Sequence, residues 1–256
     1  MAEFVRINYG EDTSQFIEFI DGARHLREDN EPVAKVAVLI HGGFWRGVYG
    51  LSLMNDLGLY LASRVDAVYN IEYRRLSGGG GWPNTFEDVV AAIQGVLADL
   101  KHQFSPKSHV KVFLVGHSAG GHLSTLANSY FTDQRLEGFD FFGVSLGGVL
   151  DLAIGFDEMI GDGVVGQFLG QVERPSEDLL ALASPRHRLK GDEKVLIVTG
   201  GRDDVVPSSI ARSYVQRANE LGVDVEYVDF PNEDHMDLID TSSRSIELVT
   251  DYLARR

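Results

Sequence analysis

The 256-residue chain contains no cysteine. That absence excludes disulfides, thiolate metal sites and a cysteine nucleophile together. Basic residues are scarce: 23 Lys and Arg stand against 38 Asp and Glu, giving a formal net charge of −15. A surface this acidic repels phosphate backbones and anionic membranes, so neither nucleic acid nor a membrane is expected as a partner. No apolar run approaches the roughly 20 residues that span a bilayer. The opening residues, MAEFVRINYG, lack the basic and apolar regions of a signal peptide. A soluble, cytoplasmic protein is the expectation; the oligomeric state is left open. There is no repeat, linker or low-complexity tract, and the hydrophobic content of 44% suffices for a large core. One domain spanning residues 1–256 is expected.

What is present is an alternation. The runs KVAVLI (Lys35–Ile40), DAVYNIEY (Asp66–Tyr73), HVKVFLVG (His109–Gly116), FDFFGVSLGG (Phe139–Gly148), KVLIVTGG (Lys194–Gly201) and VDVEYVDF (Val223–Phe230) read as buried strands. Amphipathic stretches separate them. One starts at Thr85 with a Thr-x-x-Asp capping signal, and another ends at Gly222, a residue suited to a C-cap. A last helix is expected from about Met236 or Ser242 onward. Alternation of this kind predicts an α/β fold: a mostly parallel sheet covered by helices on both faces. Phe4–Tyr9 and Phe16–Ile20 are expected to add an antiparallel edge. Residues 150–188 break the rhythm with glycines and apolar pairs. They read as an insertion of short helices capping the sheet's C-terminal edge.

The chemistry begins at GHSAG, Gly116–Gly120. A strand that ends in Gly-x-Ser-x-Gly and runs into a helix is a nucleophile elbow. Ser118 must take a strained, positive-φ conformation there, which leaves little room two residues to either side, where Gly116 and Gly120 stand. The turn lifts the hydroxyl to a helix N-terminus, where free N–H groups favour negative charge. Such a serine needs a base, an orienting acid and oxyanion donors, in the chain order Ser, acid, His. Asp203, in GGRDDVVP, follows one strand, and His235, in NEDHMDLI, follows the next. Asp203 is preferred over the adjacent Asp204 because it falls at the loop apex, with Pro207 opening the following helix. Asp234 reads as a cap. His25, His102, His109, His122 and His187 lack a comparable placement and read as surface or structural. His117, beside the serine, reads as a bystander.

HGGFW (His41–Trp45) follows the first long strand. A loop of this type donates backbone N–H groups to a tetrahedral intermediate. The expected donors are Gly43, Phe44 and Ala119, with His41 shaping the loop. Trp45, Trp82, Phe156, Met159 and Phe168 are candidates for an apolar substrate pocket, each equally compatible with core. SGGGGW (Ser77–Trp82) lacks the Lys-Ser/Thr of a phosphate loop and reads as a flexible loop. Asp151, Asp157, Glu158 and Asp162 lack the spacing of a calcium loop, and no His-Glu-x-x-His occurs. Neither metal nor cofactor is expected.

On HGGFW, NIEYRR with GGGWPNTFEDV, GHSAGGHL, GGRDDVVP and DHMDLI, the chain from about Lys35 onward resembles the α/β-hydrolase superfamily, and more narrowly its kynurenine formamidase-type and carboxylesterase-type members. Trp45 satisfies the formamidase HGG-x-W pattern. Phe44 occupies the third glycine position of the hormone-sensitive-lipase HGGG loop and argues against that group. The resemblance implies Ser118 as nucleophile, Asp203 as acid and His235 as base, with donors at Gly43, Phe44 and Ala119. The expected function is a serine hydrolase cleaving a small ester, or an N-formyl or aryl amide, through an acyl-enzyme. The alternatives are a peptidase or lactonase of the same fold, or a binding protein that keeps the fold without catalysis.

Overall fold

The computed structural model of the chain describes residues 4–22, 33–104 and 109–256. Eight strands form one sheet: β1 (Val5–Asn8), β2 (Phe16–Asp21), β3 (Val33–Ile40), β4 (Ala67–Ile71), β5 (His109–His117), β6 (Phe139–Leu146), β7 (Lys194–Gly200) and β8 (Asp224–Phe230). Their spatial order is β1-β2-β4-β3-β5-β6-β7-β8. β1 and β2 pair antiparallel, as does β2 with β4, and every later pairing is parallel. The antiparallel edge and the parallel centre both match the pattern of apolar runs.

Nine helices are described: α1 (Asn55–Ala62), α2 (Asn84–Gln103), α3 (Ala119–Gln134), α4 (Leu152–Asp157), α5 (Ile160–Leu169), α6 (Glu177–Ala183), α7 (Pro185–Arg188), α8 (Ser208–Leu221) and α9 (Arg244–Arg255). Strand alternation divides the core in two. On β3, Val36, Val38 and Ile40 join α2, α3, α8 and the short helices of residues 150–188 on one face, while Ala37 and Leu39 meet α1 and α9 on the other. Each of the larger aliphatic side chains, fully buried, contributes about 1.5–3 kcal/mol relative to exposure. Among the described residues, no helix is long and apolar enough to cross a membrane.

Two local expectations change. Thr85 does not cap α2, which starts at Asn84 after Pro83. Its hydroxyl instead donates to the Arg74 carbonyl at 2.6 Å and accepts the Gly81 N–H at 2.9 Å. Asp88, the other half of the capping signal, is taken by Arg74 in a two-pronged ion pair. Tertiary partners outbid the local cap. The glycine-rich stretch after Arg75 is likewise pinned: Gly78 and Gly80 donate to the Arg75 carbonyl, and Trp82 donates to the Phe168 carbonyl at 2.7 Å. The Gly222 C-cap is present, with φ of 73°, and the last helix begins after its Ser243 cap.

The order of the strands positions the site. The chain leaves β3 toward β4 on one side, and β5 lies on the other side of β3. A crevice opens at the carboxyl ends of strands that part in this way. Residues 42–45 follow β3 at that point, and Ser118 follows β5.

Candidate active site

Ser118 joins β5 to α3 with φ 55° and ψ −120°, a conformation that side chains rarely adopt. The flanking glycines are steric requirements. A Cβ on Gly116 would overlap the Gly120 carbonyl, and one on Gly120 would overlap the Ile40 carbonyl. The Ser118 N–H is held by the Leu146 carbonyl at 2.9 Å. Ala119 begins α3, so its N–H is one of the four that a helix leaves without an internal acceptor.

His235 and Asp203 meet across the ends of β7 and β8. His235 Nδ1 lies 2.7 Å from Asp203 Oδ2. The other carboxylate oxygen of Asp203 accepts the N–H groups of Val205 and Val206 at 2.9 and 2.8 Å. Three fixed contacts therefore orient the carboxylate. Asp204 is exposed, and it is Asp203 that lies against His235. Asp234 caps the turn after His235 by accepting the N–H groups of Met236 and Asp237. Gly147, which the sequence left without a role, has φ 57°. A Cβ there would stand 3.1 Å from Asp203 Oδ2 and 3.2 Å from His235 Nδ1.

The loop after β3 lies against the serine. A Cβ on Gly42 would be 2.9 Å from Ser118 Cβ. Gly43, Phe44 and Trp45 follow with φ of 107°, 56° and 55°, and a left-handed conformation costs a non-glycine residue about 1–2 kcal/mol. Tertiary contacts offset that strain. Trp45 is fully buried and stacks on Phe168 at 4.4 Å. Its carbonyl accepts the Leu76 N–H, and Arg46 donates to the Gly161 carbonyl at 2.7 Å. Gly161 and Asp162 belong to a left-handed turn that opens α5, and a Cβ on Gly161 would meet the Phe44 ring at 2.6 Å. Residues 150–188 thus brace this loop through Gly161. Their own base is Asp151, which caps α4, accepts Ser213 Oγ of α8 at 2.6 Å and pairs with Arg186 at 3.4 Å.

The five aromatic and methionine candidates do not form one wall. Trp45 and Phe168 have 0% and 1% exposure and belong to the core, where aromatic size makes them as useful as at a pocket. Trp82 lines a groove with Phe86, Tyr130 and Leu182. Phe156 and Met159 line another, with Gly166 and Val172. Among the remaining histidines, His122 donates to the Ala183 carbonyl at 2.8 Å, and burial pushes it down to about 4. His109 pairs with Asp140, and His187 reaches Ser184. His25 lies outside the described residues. His117 is not a bystander: its Nε2 faces the His235 carbonyl at 2.9 Å. Burial, helped by the adjacent His235, lowers its ring to about 3, so it stays neutral.

Glu72, directly after β4 in NIEYRR, takes a role that its sequence position does not announce. Its buried carboxylate faces His41 Nε2 at 2.8 Å and accepts Leu51 N–H, Tyr73 N–H and Arg75. A glutamate closing an apolar strand was the signal available for it.

The strand order and parallel sheet define an α/β-hydrolase fold. The chain belongs to the BD-FAE family, an α/β-hydrolase family whose model matches residues 25–217. It is 28% identical to esterase LipC of Mycobacterium tuberculosis over 266 aligned positions, which cover 92% of this chain. The chain spans 60% of the length of that curated relative. Among solved structures, a truncated carbohydrate esterase from gut microbiota superposes with a TM-score of 0.78 at 20% identity, covering 100% of this chain and 95% of that one. Esterase B of Lactobacillus rhamnosis superposes with a TM-score of 0.74 at 19% identity, covering 99% and 86%. At these identities the superpositions speak for the fold.

Proposed function

We propose that the protein is a serine esterase with Ser118 as nucleophile, His235 as general base and Asp203 as orienting acid. The observation that carries this reading is the 2.7 Å Asp203–His235 contact, presented at the same sheet edge as a serine in a positive-φ turn. A carboxylate only accepts, so the proton on the imidazole sits at Nδ1 and leaves the Nε2 lone pair free to take the serine proton. Ser118 Oγ attacks the ester carbonyl. The oxyanion is received by the N–H groups of Ala119, Gly43 and Phe44. Collapse expels the alcohol with the proton from His235. Water then attacks the acyl-enzyme under the same base. Residues 150–188 act as a cap on this single domain, bracing the loop that carries the donors.

Small carboxylic esters are the preferred substrate class. Relatives that carry an esterase name support it. The N-formyl or aryl amide reading leaned on Trp45, whose ring is buried and so gives no specific support to an aromatic amide. Ser118→Ala is expected to abolish hydrolysis of p-nitrophenyl acetate and labelling by a fluorophosphonate. Retained turnover would overturn the mechanism. A panel of short acyl esters, acetylated sugars and N-formylkynurenine ranks the substrate classes.

A further inference from the structure

We infer that Glu72 and His41 form a positioning pair that aims the Gly43 N–H at the oxyanion, acting through the Gly42 carbonyl. The inference rests on the reading of Ser118 as nucleophile given above.

His41 closes β3 and is completely buried. Its ring stacks on Tyr73 with centroids 4.3 Å apart and planes 7° from parallel. Nδ1 lies 2.8 Å from the Gly42 carbonyl oxygen. A carbonyl only accepts, so Nδ1 is the donor. The Gly42 C=O and the Gly43 N–H belong to one planar trans peptide and point in opposite directions. A bond that fixes the carbonyl therefore fixes the N–H. This peptide is beside the nucleophile, since Gly42 stands against Ser118.

The ring is itself held from behind. His41 Nε2 faces Glu72 Oε1 at 2.8 Å, and the Tyr73 hydroxyl donates to the His41 carbonyl at 2.7 Å. Glu72 is clamped by the Leu51 and Tyr73 N–H groups, each at 3.0 Å, and by Arg75 at 2.6 Å. Burial alone would raise the Glu72 carboxyl. Hydrogen bonding and charge from His41, the Leu51 N–H and Arg75 outweigh burial and hold it below the usual carboxylate value. It is thus an anion that only accepts.

The strain downstream explains why such a clamp is useful. Three consecutive positive-φ residues, Gly43 to Trp45, follow the peptide. Two glycines flank its bond, so a flip of the peptide meets little resistance from side chains. The flipped form would point the Gly42 carbonyl at the developing oxyanion and withdraw the N–H. The Glu72–His41 pair biases the peptide toward the productive orientation, as a preorganised donor requires.

The test uses the full chain and p-nitrophenyl acetate. His41→Asn keeps a donor near the Nδ1 position, whereas His41→Gln places its amide near Nε2 and loses the bond to Gly42. His41→Gln is expected to lower kcat about 100-fold, the scale of one lost oxyanion donor, with KM within about two-fold. His41→Asn is expected to recover at least about ten-fold of that, and Glu72→Gln to lower kcat about ten-fold, again at near-constant KM. An unchanged kcat in His41→Gln, a loss confined to KM, or a His41→Asn variant no better than His41→Gln would each overturn the pair. Should Glu72→Gln fail to fold, the two His41 variants decide alone, because both remove the same ring. Turnover retained by Ser118→Ala would strike the underlying reading instead. A dead Ser118→Ala with an unaffected His41→Gln strikes only this inference.

Discussion

The rings of His117 and His235 lie 4.5 Å apart, and His117 donates its Nε2 hydrogen to the His235 main-chain carbonyl at 2.9 Å. The residue before Ser118 thereby holds the loop that carries His235. The contact joins the end of β5 to the turn after β8, two segments 118 residues apart.

Removing that donor should misplace the base without touching the reacting atoms. His117→Leu is expected to lower kcat about ten-fold or more, because small displacements of catalytic groups are costly. His117→Gln, whose amide reaches the Nε2 position, should recover most of the loss. Steady-state kinetics on a short ester compare the two. Equal damage in both variants would show that the ring's packing, not its donor, matters.

Asp203→Asn removes the carboxylate that contacts His235 at 2.7 Å, which in the proposed mechanism supports the imidazolium formed during attack. The expected loss in kcat is about 10³–10⁴-fold. Asp204→Asn, at an exposed position, should stay within about two-fold of the unsubstituted protein. The assignment of the acid fails if the two variants change places.

The contrast between Asp203 and His117 shows what was legible in the sequence. The elbow glycines, Asp203 and His235 stand out in the sequence because their constraints are local: a positive-φ turn needs glycines two residues away, and both polar residues follow the ends of apolar strands. The central strands were legible because burial on both faces leaves continuous apolar runs; VDVEYVDF, read as buried, is the half-exposed edge strand β8, where the charged residues interleave. His117, Gly147 and Glu72 were not, because their partners come from distant segments, and a lone histidine, glycine or glutamate carries no periodic signal. Thr85 misled for the same reason, since a capping pattern does not reveal that the Arg74 carbonyl competes for its hydroxyl. Aromatic residues near the site were ambiguous throughout. Size and hydrophobicity suit a core and a pocket equally, and only the stacking of Trp45 on Phe168 separated them.

Trp45→Phe tests that separation. The indole is wholly buried and its N–H has no partner among the described residues, so the smaller ring leaves a cavity but loses no hydrogen bond. A destabilisation of about 1–3 kcal/mol is expected by urea denaturation, with KM for a short ester nearly unchanged. A large KM effect at unaltered stability would return Trp45 to the pocket wall.

Two buried neutral histidines should make stability fall with acid before any carboxylate titrates. Burial lowers His117 to about 3 and His122 to about 4, both from an ordinary 6.5. Between those values and 6.5 the unfolded chain binds a proton that the folded chain refuses. Stability is therefore full above about pH 6.5 and declines as the pH falls toward 4. Each histidine adds a slope of up to about 1.4 kcal/mol per pH unit. Glu72, Asp224 and Asp234, held below their usual values, act in the same direction, but only near and below their ordinary values of 4.5 and 3.8. Unfolding free energies measured between pH 6.5 and 5 isolate the histidines. His122→Gln keeps a donor for the Ala183 carbonyl and removes one titrating group. Its stability should be lower at pH 7 through lost packing against Trp45 and Phe168, and its slope with pH should be shallower by about one proton. Parallel slopes for the parent and the variant would mean that His122 accepts its proton in the folded state as readily as in the unfolded chain.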